Sequence, residues 1–417
     1  MKSTLIKLFV MVFILSLPSS IMAVQYDSVV TGKGNPWSDI EAVQQAVDQG
    51  GSVLLKGTFV FGRAGKVIIS KDVNIYGETD AQGIPVTKIR GGLWTFQTKL
   101  PEQLPPPSPG PKIGIQGIHF ERAQWSPIFL PFCSGATIIN NKITEVRPIT
   151  TSLFGKEGMF MHGGITLAPV FALPNDQQRY QPGAITGTIT IADNDIDLST
   201  GFPEKTMAQG VFIMGTTGAK TQILRNRITN CSRNSVETFD NYPGDDGSGM
   251  TIIKGNRIVT ANKGIPLPGP DTPNGIIAGW FLDMTGATDP ARFTKIVATE
   301  NKIETRGDTS GGISILSDGA VITSNHILLK GGSSSKGIFV CTSDSLIANN
   351  KIEGSGGSAI MVRYFQKFMP RRNVITGNDL TSLQASIADV FLSGSNNMVL
   401  NQKGNIVDKG QANLIME

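Results

Sequence analysis

Apolar and polar positions alternate along this chain in runs of three to five residues, the period of a half-buried strand, and no segment of helical period separates the runs. The runs are punctuated by a recurring triplet in which Asn is followed two residues later by Ile or Leu. It stands at Asn141-Lys142-Ile143, Asn194-Asp195-Ile196, Asn226-Arg227-Ile228 and Asn256-Arg257-Ile258, then at Asn301-Lys302-Ile303, Asn325-His326-Ile327, Asn350-Lys351-Ile352 and Asn378-Asp379-Leu380. The steps between these asparagines are 53, 32, 30, 45, 24, 25 and 28 residues. A unit of about 24 residues, lengthened in places by insertion, predicts a solenoid.

Three segments, Phe129–Ile143, Gly312–Ile327 and Gly337–Ile352, align closely. Each predicts a short strand, a polar turn, a second strand, an Asn corner, and a third strand beginning at the Ile. Coils wound in this way stack equivalent residues about 4.8 Å apart. An Asn at a tight bend can take a left-handed backbone conformation, and stacked amides can bond to one another up the column. The Ile two positions on then points inward and forms an apolar column. At the front, Ser38-Asp39-Ile40-Glu41 has the form of a capping box before a short helix with Ile40, Val43, Ala46 and Val47 on one face. Gly50-Gly51 ends that helix, and strands follow at Ser52–Leu55, Val67–Ser70 and Val73–Tyr76.

On this repeat, residues 36 to 415 resemble the right-handed parallel β-helix (pectin-lyase-like) superfamily. The resemblance implies an all-β solenoid with a short N-terminal capping helix that plugs its open end. The chain is most similar to exported repeat proteins of that class, including the periplasmic group related to the nitrous-oxide-reductase maturation factor, for which carbohydrate binding and sugar hydrolysis are the implied activities. Of the polygalacturonase-like motifs, Gly244-Asp245-Asp246-Gly247 matches the Asp pair alone; the Asn-Thr-Asp, Gly-His-Gly and Arg-Ile-Lys elements are missing, as are the pectate-lyase elements.

Composition narrows the picture. Forty-eight glycines and only 17% charged residues suit a chain of thin strands and corners. Residues 1–23 read as a secretory signal peptide: Lys2 and Lys7, an apolar run Leu8–Leu17, and small residues ending at Ala23. The run is too short for a membrane span, and no later stretch is longer. Residues 24–417 are then expected to form one elongated domain, with a cap region at 24–60 and a Pro-rich loop at 101–111, located in the periplasm, at the cell surface or outside the cell. The net charge of 37 − 33 = +4, without a Lys/Arg-rich run, gives no support for nucleic acid. Three cysteines, an odd number, read as buried hydrophobes of an internal column. His326, at the middle of its triplet, is expected to face solvent.

Candidate chemistry gathers in four excursions that leave the same turn of the coil: Phe171–Thr186, Asp240–Gly249, Trp280–Thr294 and Arg363–Asn373. Stacking should set them side by side as a working edge. Ring faces at Trp280, Tyr180, Tyr242 and Tyr364 would cover the apolar faces of sugars, and Arg179 would grip a uronate carboxylate. Hydrolysis would need two carboxylates, with Asp240 and Asp283 on neighbouring coils and Asp246 nearby. A lyase would use Arg292 or Arg179 as base and Ca²⁺ held by Asp245 and Asp246. Asp245-Asp246-Gly247 is also ordinary turn chemistry. Two functions follow: an exported β-helix that binds, and in one form cleaves, a polysaccharide or cell-surface glycan, or a non-enzymatic scaffold or adhesin-like protein.

Overall fold

Each coil contributes one strand to each of three walls, in the order first, second, third. One full set is Lys220–Leu224, Arg227–Cys231 and Asn234–Phe239, and the next is Met250–Lys254, Arg257–Thr260 and Asn274–Gly279. A computed structural model describes residues 25–99, 101, 106–151, 159–169, 183–199, 206–262, 273–280, 290–307, 309–365 and 368–416. The first wall is a 14-stranded sheet, and a 22-stranded sheet bends to give the second and third. Successive coils pair in parallel, and among the described residues one antiparallel ladder sets Ile149–Thr151 against Met159–Met161. The chain is an all-β parallel β-helix, and among the described residues no helix is long and apolar enough to cross a membrane.

The triplets sit where the first wall turns into the second. Their isoleucines lie in register from Ile143 through Ile196, Ile228, Ile258, Ile303 and Ile327 to Ile352, all within 2% of full burial. Each such side chain contributes roughly 1.5–3 kcal/mol of hydrophobic stabilisation. Beside them the asparagines form a continuous ladder. Each Nδ2 donates to the Oδ1 of the next Asn at 2.9–3.0 Å from Asn141 to Asn378, where Gln402 takes over at 3.1 Å. The same Oδ1 also receives the backbone N–H of the preceding Asn, and the second Nδ2 proton goes to a first-wall carbonyl such as Ile223 O. Every polar group of a buried corner is thereby satisfied.

The expectation that these asparagines are themselves left-handed is corrected. Positive φ falls on the residue before each one, at Asn140, Asp193, Arg225, Gly255, Glu300, Ser324, Asn349 and Gly377. That residue turns the chain, which leaves the Asn side chain free to reach inward along the column. The same device recurs at the third-to-first corner near the C-terminal end, where Arg372 and Asn396 are left-handed and Asn373 bonds Asn397, which bonds Asn413.

The helix runs Pro36–Gln49, three residues earlier than the Ser38 capping box would start it. Asn35 is the cap, accepting from the Trp37 and Ser38 N–H groups, and Pro36 needs no donor partner at the first position. Asp39 is buried and accepts from Val60 N, while Gln44 bonds both the N–H and the C=O of Ile68. These side chains take the place of a missing neighbour for strands Thr58–Gly62 and Val67–Ile69, closing sheet edges that would otherwise recruit other chains.

Of the cysteines, Cys133 and Cys231 belong to the internal apolar core, but Cys341 packs in a second apolar cluster outside the third wall. His326 is partly exposed and bonds Glu353 at 2.7 Å, as a solvent-facing triplet residue should.

Candidate functional site

The third wall differs from the other two in its outer face. Second-wall strands alternate buried and exposed positions, whereas Thr206–Met214, Asn234–Phe239, Asn274–Gly279 and Gly311–Leu316 are buried at every residue. All four excursions singled out above leave a third-wall strand and return to the first wall. Further insertions enter the same wall from its other side, at residues 145–158, 198–205 and 261–273. The wall is bracketed along its length, and its outward side chains meet protein rather than water. Trp280, Phe365 and Phe368 pack with Phe212, Phe239, Ile277 and Phe339 in the outer apolar cluster and cover this face.

Against that apolar cover stands a polar network spanning four coils. Glu237 is 1% exposed and receives four hydrogen bonds: Gln209 Nε2 at 2.8 Å, Asn234 Nδ2 at 2.7 Å, Arg233 Nε at 3.1 Å and Arg233 Nη2 at 3.2 Å. Arg233 also points Nη1 at Met207 Sδ. Asn274 donates to Asn234 Oδ1, and Ser314 donates to Asn274 Oδ1, both at 3.0 Å. The strand register makes this row: Gln209 lies opposite Asn234 and Asn234 opposite Asn274, while Phe212, Glu237, Ile277 and Ser314 share the next outward column. A buried ion pair is a weak source of net stability, because desolvation offsets most of its attraction. An apolar pair would serve packing as well, which makes this stretch of wall the candidate site.

His162, on the third-wall strand Met159–Leu167, is also buried. Its Nε2 lies 3.2 Å from Leu198 O, its Nδ1 has no partner among the described residues, and burial pushes the imidazole down to about 4.

The residues expected from sequence distribute as follows. Asp240 is fully buried at the end of Asn234–Phe239, with φ 47°, and its N–H donates to Gly279 O. Trp280 occupies the adjacent rung at the same phase, its ring 5.1 Å from that of Phe368 in an edge contact. These two are brought together at the margin of the polar row. Tyr242 is buried and turns its ring onto Phe293 at 5.4 Å. Asp245 and Asp246 lie in the exposed turn that follows, where the Ser248 N–H on Asp246 Oδ1 lowers that carboxyl below its ordinary range. Arg292 is exposed in the 3-10 turn Pro290–Arg292. Tyr364 is half exposed, its N–H on Ser393 Oγ. Arg179, Tyr180 and Asp283 lie outside the described residues. Among the described residues no group of three or more His, Cys, Asp or Glu is arranged to hold a metal ion.

Sequence reasoning missed Gln209, Arg233, Asn234, Glu237, Asn274 and Ser314. Each reads as an ordinary outward polar residue of an alternating strand. The available signal was the insertions at both ends of those strands: a strand bracketed by excursions on both sides has a covered outer face, and a charge there is buried.

No family model matches the chain, and no curated protein matches it. Among solved structures it is similar to a PL6 alginate lyase in complex with a trisaccharide, with 12% sequence identity and a TM-score of 0.37. The match covers 88% of this chain and 64% of that one, so the chain spans less than two thirds of the lyase's length. A likeness of that degree assigns neither a residue nor a substrate.

Proposed function

We propose that the chain is an exported β-helix that binds polysaccharide along the outer face of its third wall. The observation that carries this reading is the buried row Gln209–Asn234–Asn274 with the Arg233–Glu237 pair, on the outside of a solenoid and beside Trp280 and Phe239. Amides, a carboxylate and a guanidinium fork are the groups that pair with sugar hydroxyls and uronates, and the neighbouring rings suit the apolar sugar faces. Ligand entry then requires the covering excursions to lift, so that sugar hydroxyls replace the bonds now made within the row. In a cleaving form of this function, Glu237 and Asp240, at the end of one strand, are the carboxylates to test. Export rests on the N-terminal Lys, apolar run and small residues to Ala23.

The test is incubation of the full chain with a glycan panel. New reducing ends would mark hydrolysis, and absorbance from unsaturated uronates would mark elimination. Binding without turnover leaves a binding module. Binding retained and turnover lost in Glu237→Gln or Asp240→Asn assigns the chemistry.

A second reading has its own support. Glu237 is saturated by its four donors, and the cover over it is apolar, as a permanently closed structural joint would be. In that case the protein is a non-enzymatic surface or periplasmic scaffold. Silence across the glycan panel together with a reproducible protein partner in pull-downs favours it.

A further inference from the structure

The second wall carries an ordering of charge that the third-wall site does not use. The middle residue of each triplet points outward there, and the register places Asp195, Arg227, Arg257, Lys302, His326, Lys351 and Asp379 in one column. Five consecutive coils thus present a basic side chain at the same phase, closed by an acid at either end. Four steps of about 4.8 Å give a track of roughly 19 Å. All five are solvent-accessible.

The acids nearby do not neutralise the column evenly. Asp195 pairs with Arg227, and Glu353 takes both Lys351 and His326. Glu304 is engaged by Arg306 and Lys330. Arg257 and Lys302, at the centre, have no acidic partner within ion-pair distance among the described residues. Like charges directly opposite across strands are unfavourable. Solvation alone would be served by neutral polar residues, as at Thr299 and Thr323 on the first wall. A repeated cation along one column is relieved by a repeated anion laid along it.

The geometry points to a polyuronate-binding track on the second wall, where Arg227, Arg257, Lys302, His326 and Lys351 meet the carboxylates that an extended chain turns toward the wall. An extended polyuronate carries one carboxylate per sugar, so its charge runs the whole length of such a track. Planar guanidinium groups at two of the five positions suit carboxylates. Single-stranded nucleic acid fits less well, because such binders add aromatic stacking platforms and the outward positions of these strands carry no Phe, Tyr or Trp. The track lies on a different wall from the polar row and does not depend on the function proposed for it.

The test uses the full chain and oligogalacturonate of defined length, with binding measured by calorimetry at low and high salt. Wild type is expected to bind, to weaken steeply with salt, and to ignore neutral dextran. The Arg257→Gln/Lys302→Gln double variant should bind about tenfold or more weakly, with the salt slope reduced by about two. Lys112→Gln/Lys220→Gln, an equal charge change at exposed first-wall positions, should stay within about twofold of wild type on the same principle. The proposal is overturned if wild type does not bind, if its binding ignores salt, or if the control pair loses as much as the track variant. It is also overturned if oligothymidylate binds as tightly, or if Glu237→Gln abolishes binding while the track variant retains it, an outcome that would place the glycan on the third wall instead.

Discussion

At the scale of single residues, one asparagine does the work of several. Asn256 donates to Ile223 O and Asn301 Oδ1, and its own Oδ1 receives both the N–H and the Nδ2 of Asn226. Asn256→Ala would leave buried donors and acceptors unmade on two neighbouring coils. Each is costly because water cannot replace it, so the loss should total about 3–5 kcal/mol. The denaturant midpoint checks this, and a change below about 1 kcal/mol would mean that the corner repacks without its ladder. His162 gives a prediction in pH. Burial holds its imidazole near 4, below the ordinary 6.5. The folded pKa is the lower one, so between these values the unfolded chain binds the extra proton and native stability falls as pH drops. Above pH 6.5 the residue contributes nothing. Between pH 7 and 4.5 the wild type should therefore lose about 2–3 kcal/mol relative to His162→Gln, in addition to whatever both lose through their carboxylates. Parallel stability profiles for the two proteins would show that His162 protonates freely in the native state.

At the scale of elements, the strands and the Asn corner could be read from the sequence, because alternation and spacing are local. The residue that turns left-handed could not, since Arg225, Glu300 and Ser324 have no shared chemistry and only their place before the Asn unites them. The helix start was misplaced because two caps compete within four residues, and Asn35 with Pro36 wins over Ser38. The site itself was hidden: Asp240 and Trp280 were legible as loop-edge residues, but Glu237 becomes exceptional only when the wall around it is covered. A small-residue column beside it was equally silent. Gly164, Gly210, Ser235, Gly275, Gly312, Gly337 and Ala359 lie in register where the second wall bends into the third. A Cβ on Gly312 would come 2.4 Å from Gly337 O and 2.8 Å from Ile327 Cγ2. Backbone and a packed Ile cannot move aside cheaply, so Gly312→Ala should cost about 1–3 kcal/mol and Gly312→Val more. If the Val variant matched wild type in its melting transition, the close approach would have no energetic weight.

At the scale of the whole molecule, two apolar bodies lie on opposite faces of the third wall. The internal core runs the length of the solenoid, and each coil is locked by its neighbours. The outer cluster is held only between the wall and the excursions that cover it. Opening the first means unwinding coils, whereas opening the second means lifting the cover, which is the motion that the proposed third-wall site requires. The three cysteines report on these two events separately. All are buried as free thiols, and burial pushes each up to about 12. At pH 8 roughly one thiol in ten thousand is then the reactive thiolate, so labelling of the native protein waits on opening. Cys133 and Cys231 sit in the internal core and Cys341 in the outer cluster. A thiol reagent applied under native conditions should therefore modify Cys341 first, with Cys133 and Cys231 following only at the rate of coil unwinding. Peptide mass spectrometry of a labelling time course resolves the three sites. Equal rates would mean that cover and coil open together as one cooperative unit, and the third-wall cleft would then have no way to admit a chain while the solenoid stays wound.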